Sequence, residues 1–302
     1  MRISQKVGSN IENIIKRRVI WVVSKEMQPY LFINILLMKF IVTGSEGFIG
    51  KALVFELQRR GAEVIKIDRK DGTEAKDIAK YLANDDIDGV FHLAAQTSVF
   101  NDNIEQIKQD NIDTFMVVCD ACRDKHIKLV YASSSTANGC NTTSMYGISK
   151  HFNEQYATKY NKKATGVRLH NVYGPNPRQG TLFWNLLNKK RVKLYNGGEN
   201  IRHFTYISDI VGGLIYAYGS NRSLLNVANP EKAITLNFAE IVRSYNGVEI
   251  ELVSDSLNFD NLEQKVDNTI YTVPLSYLTI SEGIALAMAC ENMDKNGVTE
   301  CI

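Results

Sequence analysis

The sequence has few cysteines, few prolines and almost no net charge. Its 302 residues include five of each of these two residue types, and the formal net charge at pH 7 is +2. So small a charge gives no general electrostatic attraction to nucleic acid or to an anionic membrane. An odd number of cysteines without paired spacing is typical of a reducing compartment, so we expect the cytoplasm. The content of 44% hydrophobic and 23% charged residues is that of an ordinary soluble globular protein.

Long hydrophobic runs are also missing. The apolar run over residues 30–38 is too short to span a bilayer, and the segment lacks a cleavage site of the secretory type. The first 37 residues carry six basic and two acidic side chains, a charge of +4 that sets them apart from the rest. A targeting or membrane-surface role is one interpretation of this extension. We favour an over-extended translation start that is not part of the fold, which we expect to begin near Met38.

A CxxC pair, Cys119 and Cys122, lies inside the apolar run over residues 115–122. Such a pair can bind a metal or undergo redox chemistry, but a structural zinc site needs a second pair of ligands, and none appears. We therefore favour core packing for both cysteines and predict no metal site.

From Met38 onward, short apolar runs alternate with stretches of helical spacing. The predicted strands are residues 39–43, 63–68, 89–94, 128–132 and 164–170, and the predicted helices are residues 48–60, 103–125 and 143–161. This alternation predicts an α/β fold with a doubly wound (Rossmann) parallel sheet. Four of the five prolines follow Tyr173, where the regularity fades. We therefore predict a dinucleotide-binding domain over residues 38–173 and a smaller α/β, mainly substrate-binding region over residues 174–302, with some segments returning to the sheet.

A glycine-rich loop follows the first predicted strand and opens the first predicted helix. In Thr43-Gly-Ser-Glu-Gly-Phe-Ile-Gly50, Gly44 allows a tight turn, Gly47 lets the backbone approach a pyrophosphate, and Gly50 lets helix and strand pack closely. Phe48 and Ile49 begin the helix, whose unpaired amides and dipole favour a phosphate. The loop therefore predicts a dinucleotide site.

Asp68 closes the second predicted strand, 18 residues after Gly50. Its carboxylate would accept hydrogen bonds from the adenosine ribose and repel a 2′-phosphate, which predicts NAD as the cofactor. Arg69 and Lys70 follow directly, and a base beside the ribose could admit NADP instead.

Tyr146 and Lys150 lie one turn apart on the helix predicted over residues 143–161. With an oxidised nicotinamide nearby, the ammonium would stabilise the phenolate and lower the tyrosine pKa, which makes a general base for a hydroxyl proton. The serines at 133–135 follow a predicted strand and could hold the substrate oxygen. A lone Tyr-x-x-x-Lys pair is most often a surface helix. The glycine loop, Asp68 and the serines, all in the expected order, favour redox chemistry on an alcohol or ketone.

Residues 38 to about 209, and more faintly to Ile284, resemble the extended short-chain dehydrogenase/reductase family. The resemblance is to its nucleotide-sugar epimerases and dehydratases of the UDP-glucose 4-epimerase type. The motifs that carry it are the glycine loop, His92-Leu-Ala-Ala-Gln96, Tyr131-Ala-Ser-Ser-Ser135, Tyr146-x-x-x-Lys150, Arg168-Leu-His-Asn-Val-Tyr-Gly-Pro175 and Arg202-His-Phe-Thr-Tyr-Ile-Ser-Asp209.

The resemblance implies a role for each residue that matches a family motif. The implied catalytic residues are Ser134, Tyr146 and Lys150, with Ser135 as the fallback because Asn138 stands where the family has a tyrosine. Besides the glycine loop, Asp68, Tyr146 and Lys150, the implied NAD contacts are Asp77 and Ile78 at the adenine, Ala94, Ala95 and Gln96 near the nicotinamide ribose, and the helix asparagine Asn111. The implied substrate contacts are Asn171 and Arg202 at the diphosphate, and Lys193, Leu194 and Tyr195 at the nucleotide base.

Departures from the family pattern narrow the activity. Its dehydratases carry an Asp-Glu pair after the catalytic threonine, and Ser135 and Thr136 stand at those positions. We therefore expect NAD-dependent epimerisation of a nucleotide sugar, a UDP-sugar, at C4 through a transient 4-keto sugar. A 4-ketoreductase or dehydrogenase with net NAD(P)H turnover and a non-catalytic NAD-binding regulatory protein stay open. Residues 255–274 contain no arginine for a second diphosphate contact, which Lys265 could replace. The family also implies a homodimer formed through residues 103–125 and 144–162.

Overall fold

The computed structural model describes residues 35–84, 86–98, 103–139, 144–257 and 261–295. The strands are β1 Lys39–Thr43, β2 Glu63–Ile67, β3 Gly89–His92, β4 Lys128–Ser134, β5 Ala164–Leu169, β6 Val172–Tyr173, β7 Arg191–Leu194, β8 Ile201–Arg202, β9 Thr205–Tyr206, β10 Leu224–Val227, β11 Ala233–Ile234 and β12 Glu249–Leu252. The α-helices are α1 Phe48–Arg59, α2 Ile78–Asn84, α3 Ile104–Ile107, α4 Thr114–Asp124, α5 Met145–Tyr160, α6 Leu182–Asn188, α7 Ile207–Tyr218, α8 Thr235–Asn246 and α9 Ile280–Lys295. Short 3₁₀ segments are Arg69–Asp71, Ala75–Asp77, Ser135–Ala137 and Asn196–Gly198, and Lys108–Asp113 is π-helical.

The central element is a six-stranded parallel sheet in the order β10-β5-β4-β3-β1-β2. Its strands are short apolar runs because helices cover both faces, and every residue of β3 is buried. From β1 the chain continues to β2 on one side and then to β3 on the other. The order therefore reverses at β1, and a crevice for a ligand opens at the carboxyl ends of the strands. The prediction of a doubly wound α/β fold is confirmed.

The helix predicted over residues 103–125 is interrupted rather than continuous. A π-helical turn, Lys108–Asp113, separates α3 from α4. Such turns leave a carbonyl without its α-helical partner, and the side-chain amide of Asn153 donates to the Asn111 carbonyl at 2.8 Å. This π turn brings the Asn111 side chain to Gln96, at the edge of the crevice.

From Val172 onward, the described part of the chain forms three small two-stranded sheets, β11-β8, β12-β7 and β6-β9. Its core is aromatic: the rings of Phe204 and Phe238 stack at 3.9 Å, and Tyr173 meets the Phe238 ring edge to face at 5.2 Å. β10 belongs to this part of the sequence, yet it pairs with β5 in the central sheet. This pairing agrees with the expectation that some later segments return to the sheet, while the domain boundary itself stays a prediction.

The structure also describes three features outside the site: the CxxC pair, the end of the N-terminal extension and the apolar helices. Cys119 and Cys122 are fully buried free thiols in the core, and burial raises the pKa of Cys119 to about 12, so packing is their role. Of the extension over residues 1–37, only 35–37 are among the described residues, and Ile35 is 2% exposed and packs in the core. The core therefore includes at least one side chain that we assigned to the extension. Among the described residues, no helix is long and apolar enough to cross a membrane.

Candidate active site

The glycine loop lies at the carboxyl end of β1 and leads directly into α1. A Cβ atom at Gly50 would lie 2.0 Å from the Gly44 carbonyl oxygen, so only glycine permits this close packing. Gly44 itself has φ +71° and would bring a Cβ within 2.7 Å of the Ala94 nitrogen. Gly47 precedes α1 without a side-chain cap, so the first amides of the helix stay available to a phosphate. The buried Ser45 hydroxyl also has no hydrogen-bond partner among the described residues. This loop fits a dinucleotide.

Asp68 lies beside the loop and is held by backbone amides. Its carboxylate accepts hydrogen bonds from the Glu46 and Lys70 amides, each at 3.0 Å. The Arg69 guanidinium is engaged by two other carboxylates, since it pairs with Glu74 at 3.0 Å and with Asp110 at 2.7 Å. A cation engaged by two carboxylates is less available to a ribose 2′-phosphate. The arrangement therefore fits NAD better than NADP.

Asn111 connects the helix layer to the segment that follows β3. Its side chain accepts a hydrogen bond from the Gln96 amide at 2.7 Å and donates to the Gln96 carbonyl at 2.9 Å. It also donates to the Ser149 hydroxyl on α5 at 3.1 Å. Ala94 and Ala95, just before Gln96, are partly exposed at this edge. Asn111 thus positions the predicted cofactor-contacting segment against the helix that carries Tyr146 and Lys150.

The three predicted catalytic side chains come together at the carboxyl edge of the sheet. The Ser144 hydroxyl caps α5 by accepting a hydrogen bond from the Gly147 amide at 3.1 Å, which places Tyr146 in the first turn. Tyr146 lies close enough to Ser134, at the end of β4, for this hydroxyl to stabilise its phenolate. The Lys150 ammonium donates to the Ala132 carbonyl at 2.9 Å and lies 5.9 Å from the centre of the Tyr146 ring. This set can hold a hydroxyl or carbonyl oxygen and exchange a proton with it.

Burial controls the protonation of this set. It raises the pKa of Tyr146 above its ordinary value, whereas the Ser134 hydroxyl and the charge of Arg178 act in the opposite direction. It also lowers the pKa of Lys150 to about 8, against the influence of Glu154. The sequence led us to expect a Tyr146 pKa lowered by Lys150 together with an oxidised nicotinamide. In the chain alone, desolvation raises the pKa of Tyr146, and the lowering in the presence of the nicotinamide stays a prediction.

A buried ion pair between Glu154 and Arg168 lies next to Lys150, and sequence analysis missed it. Glu154, one turn after Lys150, forms two hydrogen bonds with Arg168 of β5 at 2.8 and 2.7 Å, and it accepts a third from Ser133 at 2.5 Å. Arg168 also donates to Asp267 at 3.1 Å. The spacing of Lys150 and Glu154 was a signal that these two side chains share a helix face, but it gave no sign of the contact with Arg168.

Asn171 and Arg202 lie in the part of the chain beyond β5. Asn171 has φ +28°, an unusual conformation for a non-glycine residue, and its buried side-chain oxygen has no partner among the described residues. Arg202 is 5% exposed, and its guanidinium donates to the carbonyls of Ile201 at 2.7 Å and Leu262 at 3.2 Å. Both residues therefore stay predictions as diphosphate contacts.

Other implied contacts are positioned less directly for a ligand. Ile78 is fully buried in the core, so only its backbone could meet an adenine, and the Asp77 carboxylate pairs with Lys80 at 3.1 Å. Leu194 is likewise buried, and Lys193 pairs with Glu251 at 3.6 Å. Tyr195 follows β7 and is partly exposed. No contact of these residues with a nucleotide follows from their packing alone.

Arg178 is a second group that sequence analysis missed. It follows the Tyr173-Gly-Pro175 turn, and its guanidinium donates to the Thr97 hydroxyl, next to Gln96. This contact joins the later part of the chain to the segment after β3. The Arg178 charge also acts on Tyr146, so a second cation besides Lys150 influences the catalytic tyrosine. A lone arginine in an irregular segment carries no periodic signal.

Comparison with known proteins agrees with this site. The model of the NAD dependent epimerase/dehydratase family matches residues 40–228. Protein CapI of Staphylococcus aureus is 29% identical over 245 residues, which cover 65% of this chain and 72% of CapI. The uncharacterized UDP-glucose epimerase YtcB of Bacillus subtilis is 27% identical over 70% of this chain and 83% of its own.

Solved structures share the fold at lower identity. The UDP-glucose 4-epimerase of Thermotoga maritima, solved with UDP-glucose, has a TM-score of 0.74 and 21% identity over 86% of this chain and 100% of its own. The UDP-glucuronic acid 4-epimerase of Bacillus cereus, solved with UDP-glucuronic acid and NAD, has a TM-score of 0.71 and 22% identity over 85% of this chain and 99% of its own. The family match covers more than half of the chain and confirms both the resemblance and NAD as the predicted cofactor. The chain belongs to the NAD-dependent epimerase/dehydratase family.

Proposed function

We propose that this protein is an enzyme that epimerises a nucleotide sugar, a UDP-sugar, at C4 through a transient 4-keto sugar. The observation that carries the proposal is the convergence of Ser134, Tyr146 and Lys150 beside a glycine loop that fits NAD. When bound, NAD supplies reversible hydride transfer at a carbon that bears a hydroxyl. The residues of the chain handle the accompanying proton and hold the sugar.

Each catalytic residue has a distinct part in this reaction. Tyr146 takes the C4 hydroxyl proton as the alcohol becomes a ketone and returns it when the alcohol re-forms. Ser134 donates a hydrogen bond to the same sugar oxygen and keeps it near the phenol. The Lys150 ammonium favours the phenolate when the proton has left, because an opposite charge stabilises the ionised form. Proton gain and loss balance over the cycle, so no external acid or base is consumed.

Dehydration requires an acidic side chain near the sugar. The segment that contains Ser134, residues 134–138, which we call the catalytic loop, offers none. Residues 134–138 contain hydroxyl, methyl and amide side chains but no carboxylate. The nearby Glu154 is 2% exposed and bonded to Arg168 and Ser133, so it is not free to remove a proton from the sugar. These contacts support an epimerase over a dehydratase.

The substrate is proposed to lie between the two parts of the chain, with residues 38–173 binding NAD and most of residues 174–302 binding the nucleotide sugar. Asn171 and Arg202 would contact its diphosphate, since the N–H donors of a side-chain amide and of a guanidinium both suit phosphate oxygens. The relatives named as UDP-glucose epimerase and UDP-glucuronic acid 4-epimerase support a UDP-sugar.

We also propose a homodimer. On α5 the side chains of Ile148, Phe152 and Tyr160 are 46%, 39% and 44% exposed, and Val117 on α4 is 43% exposed. Large apolar side chains on two neighbouring helices support pairing with a second copy. Light scattering at micromolar concentration tests this, and a monomer would contradict it.

We also propose the cytoplasm as the location, which the buried free thiols of Cys119 and Cys122 support.

The test of the activity is incubation with UDP-, GDP-, dTDP-, CDP- and ADP-sugars and catalytic NAD, followed by NMR of the sugar protons. We expect a C4 epimer of a UDP-sugar without net NADH, and its loss in Tyr146→Phe. Tyr245→Phe is the matched control, because Tyr245 is exposed on α8. Reduced nicotinamide consumed in proportion to a keto sugar would instead establish the ketoreductase. Binding of NAD and a nucleotide sugar with no turnover would favour a regulatory protein.

A further inference from the structure

A short segment, residues 261–267, crosses from the later part of the chain to the catalytic loop; we name it the strap. On one side it forms an isolated parallel β-bridge with β8, between Glu263 and Ile201. The Leu262 carbonyl accepts from the Ile201 amide at 2.7 Å, and the Gln264 amide donates to the Ile201 carbonyl at 3.3 Å. Arg202 also donates to the Leu262 carbonyl at 3.2 Å. The strap is therefore fixed against the arginine proposed to bind the diphosphate.

On its other side the strap touches the catalytic loop and the ion pair next to Lys150. The Ser135 hydroxyl donates to the side-chain oxygen of Gln264 at 3.2 Å, and the Asn138 side chain donates to the Lys265 carbonyl at 3.5 Å. Asp267 accepts from Arg168 at 3.1 Å. Because both sides are anchored, the position of Gln264 is set by its neighbours rather than by the strap alone.

Gln264 lies on the path that a nucleotide sugar must follow. Such a molecule carries its diphosphate on C1 and, in the proposed reaction, reacts at C4. Its sugar ring must therefore lie between Arg202 and the catalytic Ser134. Gln264 is two residues from the strap residue that Arg202 contacts, about 7 Å along an extended chain, and its side chain ends at Ser135, next to Ser134.

The amide of Gln264 has donors to offer at this place. Its oxygen is used by Ser135, which leaves the two hydrogens of the amide nitrogen. Within the described residues this nitrogen has no hydrogen-bond partner, and the side chain is partly exposed. A positioned donor of this kind distinguishes a ligand that carries an oxygen in reach from one that does not.

We propose that Gln264 is a specificity-determining residue that donates its amide hydrogens to a hydroxyl or acetamido oxygen on the sugar ring of the substrate. The inference rests on the proposed function, because it assumes that a nucleotide sugar lies between Arg202 and Ser134. Ser135 acts through Gln264: its hydroxyl holds the amide oxygen and so directs the nitrogen toward the ring.

The test compares a nucleotide sugar with the same nucleotide lacking the sugar. Gln264→Met keeps the length of the side chain and removes the donors, and Asn268→Met is the matched control on an exposed neighbour. With NAD present, calorimetry measures the affinity for the UDP-sugars that the wild type binds and for UDP. We expect Gln264→Met to bind the UDP-sugar about tenfold more weakly, the loss of one hydrogen bond, with UDP affinity unchanged. The Asn268→Met control should match the wild type for both ligands.

Enzyme kinetics and a second variant sharpen the outcome. We expect the KM of Gln264→Met to rise and its preference among UDP-hexoses and UDP-N-acetylhexosamines to flatten, with a smaller change in kcat. Ser135→Ala should shift the same sugar affinity less, and the double variant should lose no more than Gln264→Met alone. Equal loss for UDP and UDP-sugar, or no loss for either, would overturn the inference. A wild type that binds UDP-sugars without epimerising them would overturn only the proposed reaction, and one that binds none would overturn both.

Discussion

The buried ion pair between Arg168 and Glu154 should contribute strongly to the free energy of unfolding. Arg168 and Glu154 are joined by two hydrogen bonds at 2.8 and 2.7 Å, and their side chains are 7% and 3% exposed. Replacing Arg168 with methionine removes the cation but leaves the Glu154 carboxylate in an interior that water hardly reaches. Ser133 then remains as its hydrogen-bond donor. The Lys150 charge also acts on Glu154, but among the described residues no group replaces the two hydrogen bonds that Arg168 donated.

The expected cost follows from that unpaired charge. Removing one partner of a buried pair destabilises a protein by about 3–5 kcal/mol. A typical domain has a free energy of unfolding of about 5–15 kcal/mol, so Arg168→Met should remove a large share of it. Glu154→Gln combined with Arg168→Met removes both charges of the pair. The Asp267 carboxylate, which also loses its contact with Arg168, is 24% exposed and can be hydrated, so we expect this double variant to recover much of the loss. The recovery separates a coupled pair from two independent contributions.

Urea unfolding followed by circular dichroism measures these free energies. The matched control is Arg243, whose ion pair with Glu240 at 3.0 Å is about half exposed on α8. Arg243→Met should cost less than about 1 kcal/mol, as surface pairs do. If Arg168→Met costs no more than Arg243→Met, or if the double variant loses the sum of the two single losses, the reasoning is refuted.

Three further predictions concern the cofactor loop, the catalytic lysine and the dimer. Gly50→Ala should weaken NAD binding and destabilise the fold by about 1–3 kcal/mol through overpacking, whereas Gly212→Ala, in a helix with its nearest neighbour at 3.7 Å, should be neutral or stabilising in the same calorimetric and thermal assays. Because burial lowers the pKa of Lys150 to about 8 from 10.5, the folded chain loses this proton first as pH rises, so the free energy of unfolding should increase by about 2 kcal/mol from about pH 8 to about pH 9.5. Burial also lowers the pKa of Lys128 to about 8, so Lys128 adds an increase of its own, and Lys150→Met should remove only the share that Lys150 contributes when urea unfolding is repeated at both pH values. Phe152→Glu should convert a dimer to a monomer in light scattering, and an unchanged mass would place the interface elsewhere.

The sheet and the cofactor loop could be predicted from the sequence because their signals are local. β1 has the predicted bounds, since an apolar run of five residues that ends in glycine has few alternatives. Helix α5 also follows the prediction closely, ending at Tyr160, and its predicted start at residue 143 lies outside the described residues. Their spacing alone predicted that Tyr146 and Lys150 lie on one face of this helix. In the structure both side chains are on that face, with the ammonium 5.9 Å from the ring centre.

Other parts of the site depend on contacts between residues far apart in the sequence. The hydrogen bond from Ser135 to Gln264 spans 129 positions, and the bond from Arg168 to Asp267 spans 99. No periodicity records such pairs. The π turn at Asn111 was missed for a related reason, because it inserts no glycine or proline that would mark a break.

The catalytic residues illustrate the difference between naming a group and knowing its charge. A motif identifies Tyr146 and Lys150, and we expected the ammonium, together with an oxidised nicotinamide, to make the phenol more acidic. In the folded chain both groups are desolvated, which raises the pKa of Tyr146 and lowers that of Lys150, so burial moves both groups toward their neutral forms. The charges of Arg178 and Glu154 partly offset these shifts, and both belong to segments that the motif does not include. The protonation of the site is therefore set by packing across the whole fold, and variants of Arg178 or Glu154 should move the pH profile of the reaction without touching the motif itself.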